Sequence, residues 1–521
     1  MSRLHPTLPD TKTASQPLGS VLASAEAAGL LSVPPALAAT PVASVVSDSR
    51  HVVPCALFAA IASDGDGPDG HAYVEAALAA GACAALVSHE WAAANDRDGL
   101  VPTSDPRAAV AEAAASFYGR PGDALALVGI TGTNGKTTTA FLVHHLLSTL
   151  GYTAGLVGTV ENRIGQERYT TAYTTPEAPD LQRLLRAMAD GGVTHAALEV
   201  SSHGLALDRV RTLDFGVAVF TNLTHDHLDF HATLGAYAAA KKRLFDGLSS
   251  DATAIVNADD PAFEAMVRDT RARVVTFGTA PGAAVAVRVV ENTVAGLRLV
   301  LDGSDVQFRL AGRFNALNLA AAYAVGRALG FDAAETLGAL ATAAGVPGRF
   351  ETVRAEGDDG GSLPRGSGVL GIVDYAHTPD ALANVLATAR EIVLPGRTLT
   401  VVFGCGGDRD RTKRSAMAGV AEALADRVIL TSDNPRTEDP AAILADIAAG
   451  LARPDAAAVI PDRAAAIAAA ADAAQPGDVV VIAGKGHETY QIVGTERRDF
   501  DDRAVLAAAL ATAAARARTA A

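Results

Sequence analysis

The sequence predicts an α/β protein of three domains, with mostly parallel sheets in its middle and last sections. Three observations carry that expectation. An apolar run, a glycine-rich turn and a helical stretch follow one another in ALALVGITGTNGKTTTAFLVHHLLSTLG, residues 124–151. Beyond residue 369 strand, loop and alanine-rich helix alternate, the pattern of a parallel sheet covered on both faces. The chain has 521 residues and two turn-rich breaks, and at roughly 100–200 residues per domain it holds about three domains.

The elements follow in order. The N-terminus, MSRLHPTLPDTKTASQPLG, lacks the basic-then-apolar layout of a signal peptide, and residues 1–17 are expected to form a mobile tail. The first section, 1–122, ends at the turn Pro121-Gly122-Asp123. The second, 123–350, opens with a strand from Ala124 to Ile130 and a helix from Lys136 to Leu150, stopped by Gly151. Further strands are expected at 155–158, 195–199, 216–220 and 253–257. After Gly348-Arg349-Phe350-Glu351 comes Gly357-Asp358-Asp359-Gly360-Gly361-Ser362 and then Pro364, a linker or long surface hairpin. The third section, 351–521, carries strands at Val369–Val373, Leu399–Phe403, Arg427–Thr431 and Val479–Ala483. The alanine runs near 463–474 and 505–516 read as helices, alanine being the strongest helix former.

With 49% hydrophobic and 19% charged residues the chain is neither disordered nor membrane-spanning, and it offers no run of about 18 apolar residues. A formal charge of −15 argues against nucleic acid as a partner, because phosphate backbones select basic surfaces. The three cysteines, Cys55, Cys83 and Cys405, have neither zinc nor disulfide spacing and suggest a reducing compartment, the cytoplasm.

The sharpest local feature is Gly132-Thr133-Asn134-Gly135-Lys136-Thr137-Thr138. Glycines there let backbone N–H groups approach phosphate oxygens, and the following helix directs its positive end at them. Lys136 can reach the β- and γ-phosphates and Thr137 can ligate Mg²⁺. The match to the P-loop is partial, since Ile130 stands where the first glycine belongs. The competing reading is an ordinary strand–helix turn, which the strand–loop–helix setting disfavours. Glu199, at the end of an apolar strand, is a metal ligand or a simple helix-cap acid; the phosphate loop favours the metal. Three histidines and two aspartates in His225–His231 form either a second cation site or a polar rim without metal. No Asn-Lys-x-Asp follows the loop, which excludes a GTPase. Arg409 after Gly404-Cys405-Gly406-Gly407 breaks a dinucleotide fingerprint.

Several motifs in order, TGTNGKTTT, LEVSSHGL, FTNLTHDHLDFH, FNALNLAAA, GRFE, DYAHTPD, GCGGDRDRTKR, TSDNPRTEDP and AGKGHETYQ, together with Ser47-Asp48-Ser49-Arg50, resemble the Mur ligase family, most closely its diaminopimelate-adding members. The resemblance implies a smaller N-terminal α/β domain for the UDP end of a nucleotide sugar, a central P-loop-type ATPase and a Rossmann-like C-terminal domain for the incoming amino acid. The implied reaction is ATP-dependent amide formation through an acyl phosphate, joining meso-diaminopimelate to UDP-N-acetylmuramoyl-L-alanyl-D-glutamate in a monomer. It implies that Asn315 contacts adenine, Asp374 the ribose and Arg349 the triphosphate. Thr137 and Glu199 would serve one Mg²⁺ and His227 a second. Lys241, by alignment of Ala-Ala-Lys and Leu-Phe, would carry a CO₂-derived carbamate and act as a further oxygen ligand; on residues alone, 241–243 read as a solvated basic patch.

Ser49, Thr174, Thr175, Ser201 and Arg209 match contacts to the nucleotide sugar, and Leu207 departs from a glutamine frequent in the family. Asp433, Asn434, Pro435 and Arg436, with Arg409, Gly484 and Glu488, match contacts to diaminopimelate. Arg436 offers a rigid fork for the carboxylate that lysine lacks. Asp433-Asn434-Pro435 alone would be an Asx–Pro turn. Two other readings stay open: a lysine-adding or folylpolyglutamate-type ligase on the same scaffold, and an ATP-regulated binding protein without catalysis.

Overall fold

The computed structural model describes all residues except 1–3, 6–10, 12, 63–68, 96, 294, 355–367, 454, 456 and 521. The expected linker at 357–364 lies outside the described residues. The chain forms two compact units: 1–223 with 233–277 and 321–339, and 224–232 with 278–320 and 340–521.

The first unit holds a four-stranded N-terminal sheet and a larger central one. The N-terminal one is parallel throughout, in the order Ser44–Val46, Ala56–Ala59, Ala84–Ser88, Leu100–Thr103. The helices Leu18–Ala27 and Pro106–Phe117 bury Leu18, Val21, Leu22, Ala113 and Phe117 against one face, and Phe58, Val74 and Val87 fill the other. Asp105 starts the second of these helices, accepting from the N–H groups of Arg107 and Ala108 at 3.0 Å, with Pro106 in the first turn.

The central sheet runs Ala154–Val157, His195–Glu199, Ala126–Thr131, Val217–Phe220, Thr253–Asn257, Arg273–Gly278, all parallel. Its register pairs Glu199 with Ile130 and Phe220 with Thr131. The carboxyl ends of three neighbouring strands therefore meet at one edge, where ligands of open α/β sheets bind. Asn162–Ile164 and Glu167–Tyr169 extend it antiparallel.

The expected strand from Ala124 begins instead at Ala126, because Pro121–Ala124 is a short 3₁₀ turn. Two parts of the expected mobile tail are tied down: Leu4–His5 pairs with Arg168–Tyr169, and Gln16–Pro17 with Pro41–Val42. Position 122 lies inside the first unit. The helix Pro106–Phe117 packs on Ala178–Asp190, and Gly122 sits so close that a Cβ there would lie 3.0 Å from Leu213.

The second unit contains the antiparallel meander Val285–Thr293, Gly296–Leu301, Ser304–Phe308. Its six-stranded sheet runs Glu351–Val353, Leu370–Asp374, Val479–Ala483, Leu399–Phe403, Arg427–Leu430, Ala457–Val459, parallel except at Glu351–Val353. Along Val479–Ala483 alternate side chains enter opposite cores. Val479 and Val481 meet helices Pro379–Ile392, Lys413–Leu424 and Pro440–Ala448, whereas Val480 and Ile482 meet Arg463–Ala473 and Asp502–Ala520. A strand buried on both faces reads as an unbroken apolar run, which is why this sheet was legible.

Candidate active site

In the first unit the loop after Ala126–Thr131 turns through Gly132 (φ 147°) and Gly135 (φ 87°). At Gly132 a Cβ would fall 1.9 Å from Thr221 Oγ1, so only glycine allows the approach. Thr221 and Asn222, at the end of the neighbouring strand, hold the loop in shape. Thr221 Oγ1 donates to the Asn134 carbonyl (2.6 Å), the Asn134 N–H donates to Asn222 Oδ1 (2.8 Å), and the Thr133 N–H to the Asn222 carbonyl (2.8 Å). Lys136 curls over its own loop, donating to the carbonyls of Gly132 (2.9 Å) and Thr133 (2.8 Å). Thr138 is buried beside it.

Glu199 is fully buried and accepts from Thr137 Oγ1 at 2.8 Å. The Thr159 N–H (2.8 Å) and Thr159 Oγ1 (3.0 Å) also donate to its carboxylate. At Gly158 a Cβ would lie 2.3 Å from Glu199 Oε1. This oxygen-only pair, Thr137 and Glu199, at the foot of a phosphate loop fits Mg²⁺, which takes one or two protein oxygens and completes its shell with phosphate and water.

On the helix Leu234–Asp246, Lys241 and Lys242 have opposite fates. Lys241 is buried, donates to the Gly132 carbonyl at 2.8 Å and lies 4.2 Å from the centre of the Tyr237 ring. Lys242 faces outward and pairs with Asp246 and Asp269. The expected basic patch thus splits, since consecutive helical residues point about 100° apart.

Thr174, Thr175, Ser201 and Arg209 gather beside Glu199. Thr175 Oγ1 donates to the Glu199 carbonyl (2.8 Å), and Ser201 Oγ accepts the Gly204 N–H (3.0 Å) at the start of a short helix. Arg209 donates to the Thr175 carbonyl (2.9 Å), pairs with Glu177 and stacks on Tyr173. Leu207 ends that short helix, half-buried. Ser49 opens the 3₁₀ turn Ser49–His51, which Asp48 caps.

In the second unit, Asn315 is buried at the start of Asn315–Ala328 and donates to the Ala311 carbonyl (2.7 Å) while accepting from Asn318 (2.8 Å). Asp374 closes its strand and accepts from the N–H groups of Phe350 (2.6 Å) and Ala376 (2.7 Å). Burial pushes its carboxyl up to about 6, against the opposing pull of Arg349 and those two donors. Arg349 stacks on Tyr375 at 4.4 Å. Beside it Gly348 (φ 65°) meets Gly486 and His487 so closely that a Cβ would lie 2.0 Å from the His487 nitrogen.

His227 adopts a left-handed conformation (φ 54°), with Nε2 3.4 Å from Asp226 Oδ2. His225 is exposed and His231 buried. Among the described residues no three His, Cys, Asp or Glu side chains gather to hold a metal.

The loop after Arg427–Leu430 forms a second polar cluster. Asn434 donates to Glu488 (2.9 Å), while its Oδ1 accepts from Lys485 (3.0 Å) and from the Ile492 N–H (2.9 Å). Arg436 is left-handed (φ 52°), bridges through its backbone to the strand Tyr490–Val493 and donates from Nη1 to the Gly407 carbonyl (2.7 Å). At Gly484 (φ 114°) a Cβ would lie 2.6 Å from Asp433 Oδ2, and Pro435 is buried. Arg409 is exposed on the Gly406–Gly407 loop. Cys405 is buried against Met417, its thiol pushed up to about 12 by burial, which leaves it chemically inert at neutral pH.

Four supports of this cluster escaped the sequence reading. Lys485 is fully buried and pairs with Glu488 at 3.0 Å. Arg414 is buried and pairs with Glu438 (2.6 Å) and Asp446 (2.8 Å). Arg463 and Asp502 form a wholly buried two-armed pair at 2.7 Å, and Arg463 also donates to the carbonyls of Ser432 (3.3 Å) and Ala483 (3.0 Å). Lys485 and Arg414 lie inside AGKGHETYQ and GCGGDRDRTKR; Arg463 and Asp502 had only their positions at helix starts as a signal.

Comparison with known proteins agrees with the motifs. Residues 130–326 match the Mur ligase middle domain, and 348–486 the Mur ligase, glutamate ligase domain. A UDP-N-acetylmuramoyl-L-alanyl-D-glutamate–2,6-diaminopimelate ligase of Geobacillus thermodenitrificans is 45% identical over 474 residues, 89% of this chain and 94% of that one. A solved structure of a ligase of the same name is 35% identical, with a TM-score of 0.63 over 92% of this chain and 97% of that one. Folylpolyglutamate synthase of Mycobacterium tuberculosis, solved with ADP and AMPPCP, is 22% identical with a TM-score of 0.57 over 72% of this chain and 91% of that one, a likeness of fold alone.

Proposed function

The chain belongs to the Mur ligase family, and from that premise we propose that it is an ATP-dependent ligase joining meso-2,6-diaminopimelate to UDP-N-acetylmuramoyl-L-alanyl-D-glutamate in peptidoglycan precursor synthesis. The observation that carries the choice of amino acid is the Arg436 guanidinium. Its Nη1 donates to the Gly407 carbonyl while the Arg436 main chain is bonded to Ile492 and Gly494, in the loop that also carries Asn434, the partner of Glu488. A planar fork suits the extra carboxylate of diaminopimelate, and Glu488 suits an ammonium.

The chemistry follows from charge. A carboxylate of the nucleotide-sugar peptide attacks the γ-phosphorus of ATP, the bond to the bridging oxygen breaks, and ADP leaves. The amine of the diamino acid then attacks the acyl phosphate, loses a proton, and inorganic phosphate departs from the tetrahedral intermediate. Both reactants of the first step are anionic, so fixed positive charge must stand between them. Lys136 swings from its loop carbonyls to the phosphates, and Arg349 adds a second cation to the triphosphate. Mg²⁺ held by Thr137 and Glu199 would neutralise charge on the phosphate oxygens.

His227 is assigned to a second Mg²⁺ and Lys241 to a carbamate, formed when its neutral amine adds to CO₂ and releases a proton. The burial of Lys241 and the ion pairs of Lys242 favour the first lysine for that role. Asn315 and Asp374 are assigned to adenosine, and Ser49, Thr174, Thr175, Ser201 and Arg209 to the nucleotide sugar. Arg409, Asp433, Asn434, Pro435 and Gly484 join Arg436 and Glu488 at the amino acid. The functional domains are taken as 1–122, 123–350 and 351–521, in a cytoplasmic monomer, with free Cys55, Cys83 and Cys405 consistent with that compartment.

ADP release is the test. It is expected to require both the nucleotide-sugar dipeptide and meso-diaminopimelate, and to ignore a folate acceptor. Comparable kcat/KM for L-lysine and diaminopimelate would overturn the substrate assignment.

A further inference from the structure

Glu199 stands at the centre of the phosphate side, yet only one of its donors, Thr137, belongs to the phosphate loop. The others come from Thr159, just beyond the strand Ala154–Val157. The Thr159 N–H lies 2.8 Å from Oε1, and Thr159 Oγ1 lies 3.0 Å from Oε2. Thr159 Oγ1 is also 3.0 Å from Thr174 Oγ1.

Counting protons orders these contacts. An ionised carboxylate only accepts, and each hydroxyl has one proton. The Thr159 hydroxyl therefore donates to Glu199, and the Thr174 hydroxyl donates to Thr159. The chain of bonds runs one way, from Thr174 through Thr159 to Glu199. Toward a ligand Thr174 then presents lone pairs alone.

Gly158 makes this possible by shape. Its φ is not in the left-handed region, so glycine is not required there by backbone conformation. It is required by space, since a Cβ would overlap Glu199 Oε1 at 2.3 Å.

We propose that Thr159, seated by Gly158, is a positioning residue that aims the Glu199 carboxylate at the magnesium position and couples it to the nucleotide-sugar contact Thr174. The inference rests on the reading of Thr137 and Glu199 as Mg²⁺ ligands. Partners that orient a metal-ligating carboxylate typically change metal affinity about 10–100-fold when lost.

The test is Thr159→Val, which keeps the side-chain shape and removes the hydroxyl, beside Thr159→Ser, which restores it. A fluorescent ADP analogue is titrated into the full chain with and without Mg²⁺, and thermal unfolding is followed in parallel. In the valine variant the Mg²⁺-dependent tightening of ADP is expected to need about tenfold more metal, with metal-free ADP binding unchanged. The serine variant is expected to match wild type. In turnover the valine variant raises KM for the nucleotide-sugar dipeptide and leaves KM for diaminopimelate unchanged. A valine variant with the wild-type Mg²⁺ response overturns the proposal, as does a serine variant equally impaired. If ADP binding to the wild type ignores Mg²⁺, the metal reading itself falls and the proposal with it, an outcome distinct from the other two.

Discussion

The phosphate loop and the Asp433–Arg436 loop both sit at the carboxyl edge of a parallel sheet, but they are held differently. The first is held partly from within, by Lys136 bonding to carbonyls three and four residues away, and partly by the neutral side chains Thr221 and Asn222, which reach over from the adjoining strand. The second rests largely on buried charged groups. Asn434 is fixed by Lys485, Glu488 and Ile492, and the strand ends behind it are tied by the buried Arg463–Asp502 pair. Neutral hydrogen bonds suffice to shape the loop that meets the phosphates, whereas the loop assigned to the amino acid leans on buried charges that are costly once unpaired.

Substitutions can break or sharpen that contrast. The largest effect is expected on the phosphate side, where Lys241→Ala should abolish turnover without loss of fold. A small carboxylic acid should restore part of it by standing in for the carbamate, and full activity in the variant would remove the carbamate assignment. Arg436→Met comes next. A site built on polar pairs rejects an analogue lacking its partner by roughly 10⁴–10⁵, so the ratio of kcat/KM for diaminopimelate over lysine should collapse by several orders of magnitude. An unchanged ratio would move the carboxylate contact elsewhere.

Asp502→Ala probes the long-range support. It leaves a buried guanidinium without its counter-charge and should cost about 3–5 kcal/mol in urea unfolding, while the apolar double substitution Arg463→Met with Asp502→Leu should recover most of that loss. If the single substitution is harmless, the pair is not what holds the strand ends.

The smallest effect concerns Asp374. Its carboxyl, raised from 3.8 to about 6 by burial, keeps its proton in the folded chain after the unfolded chain has released it. The folded state then binds more protons between about pH 4 and 6. Its contribution to stability is full below pH 4 and falls by about 3 kcal/mol as pH rises through 6. Asp374→Asn should lack that fall, and urea midpoints at pH 4.5 and 7 would show it.

What can be read in advance is what the chain signals locally. Leu399–Phe403 and Val479–Ala483 fall where their apolar runs put them, and Lys136–Thr149 ends one residue early. Strand–loop–helix punctuation is local, and so are the glycines of the phosphate loop. Thr159 was not legible, because a lone threonine after a strand has no pattern until the sheet register sets it against Glu199. Arg463 and Asp502 hid in alanine-rich helices 39 residues apart, where only tertiary packing reveals that a cation and an anion share one dry site. The antiparallel meander from Val285 to Phe308 was not legible either, its strands lacking the flanking helices that announced the parallel sheets.

Gly348 and Gly486 press backbone to backbone. Arg349, assigned to ATP, follows the first, and Glu488, assigned to the amino acid, lies two residues past the second. The residues assigned to the two substrates thus flank one junction with no side chain to cushion it. If nucleotide binding shifts that junction and changes the affinity for diaminopimelate by some factor, diaminopimelate must change the affinity for nucleotide by the same factor. Each substrate would then be the other's effector, through a contact that only the absence of two methyl groups allows.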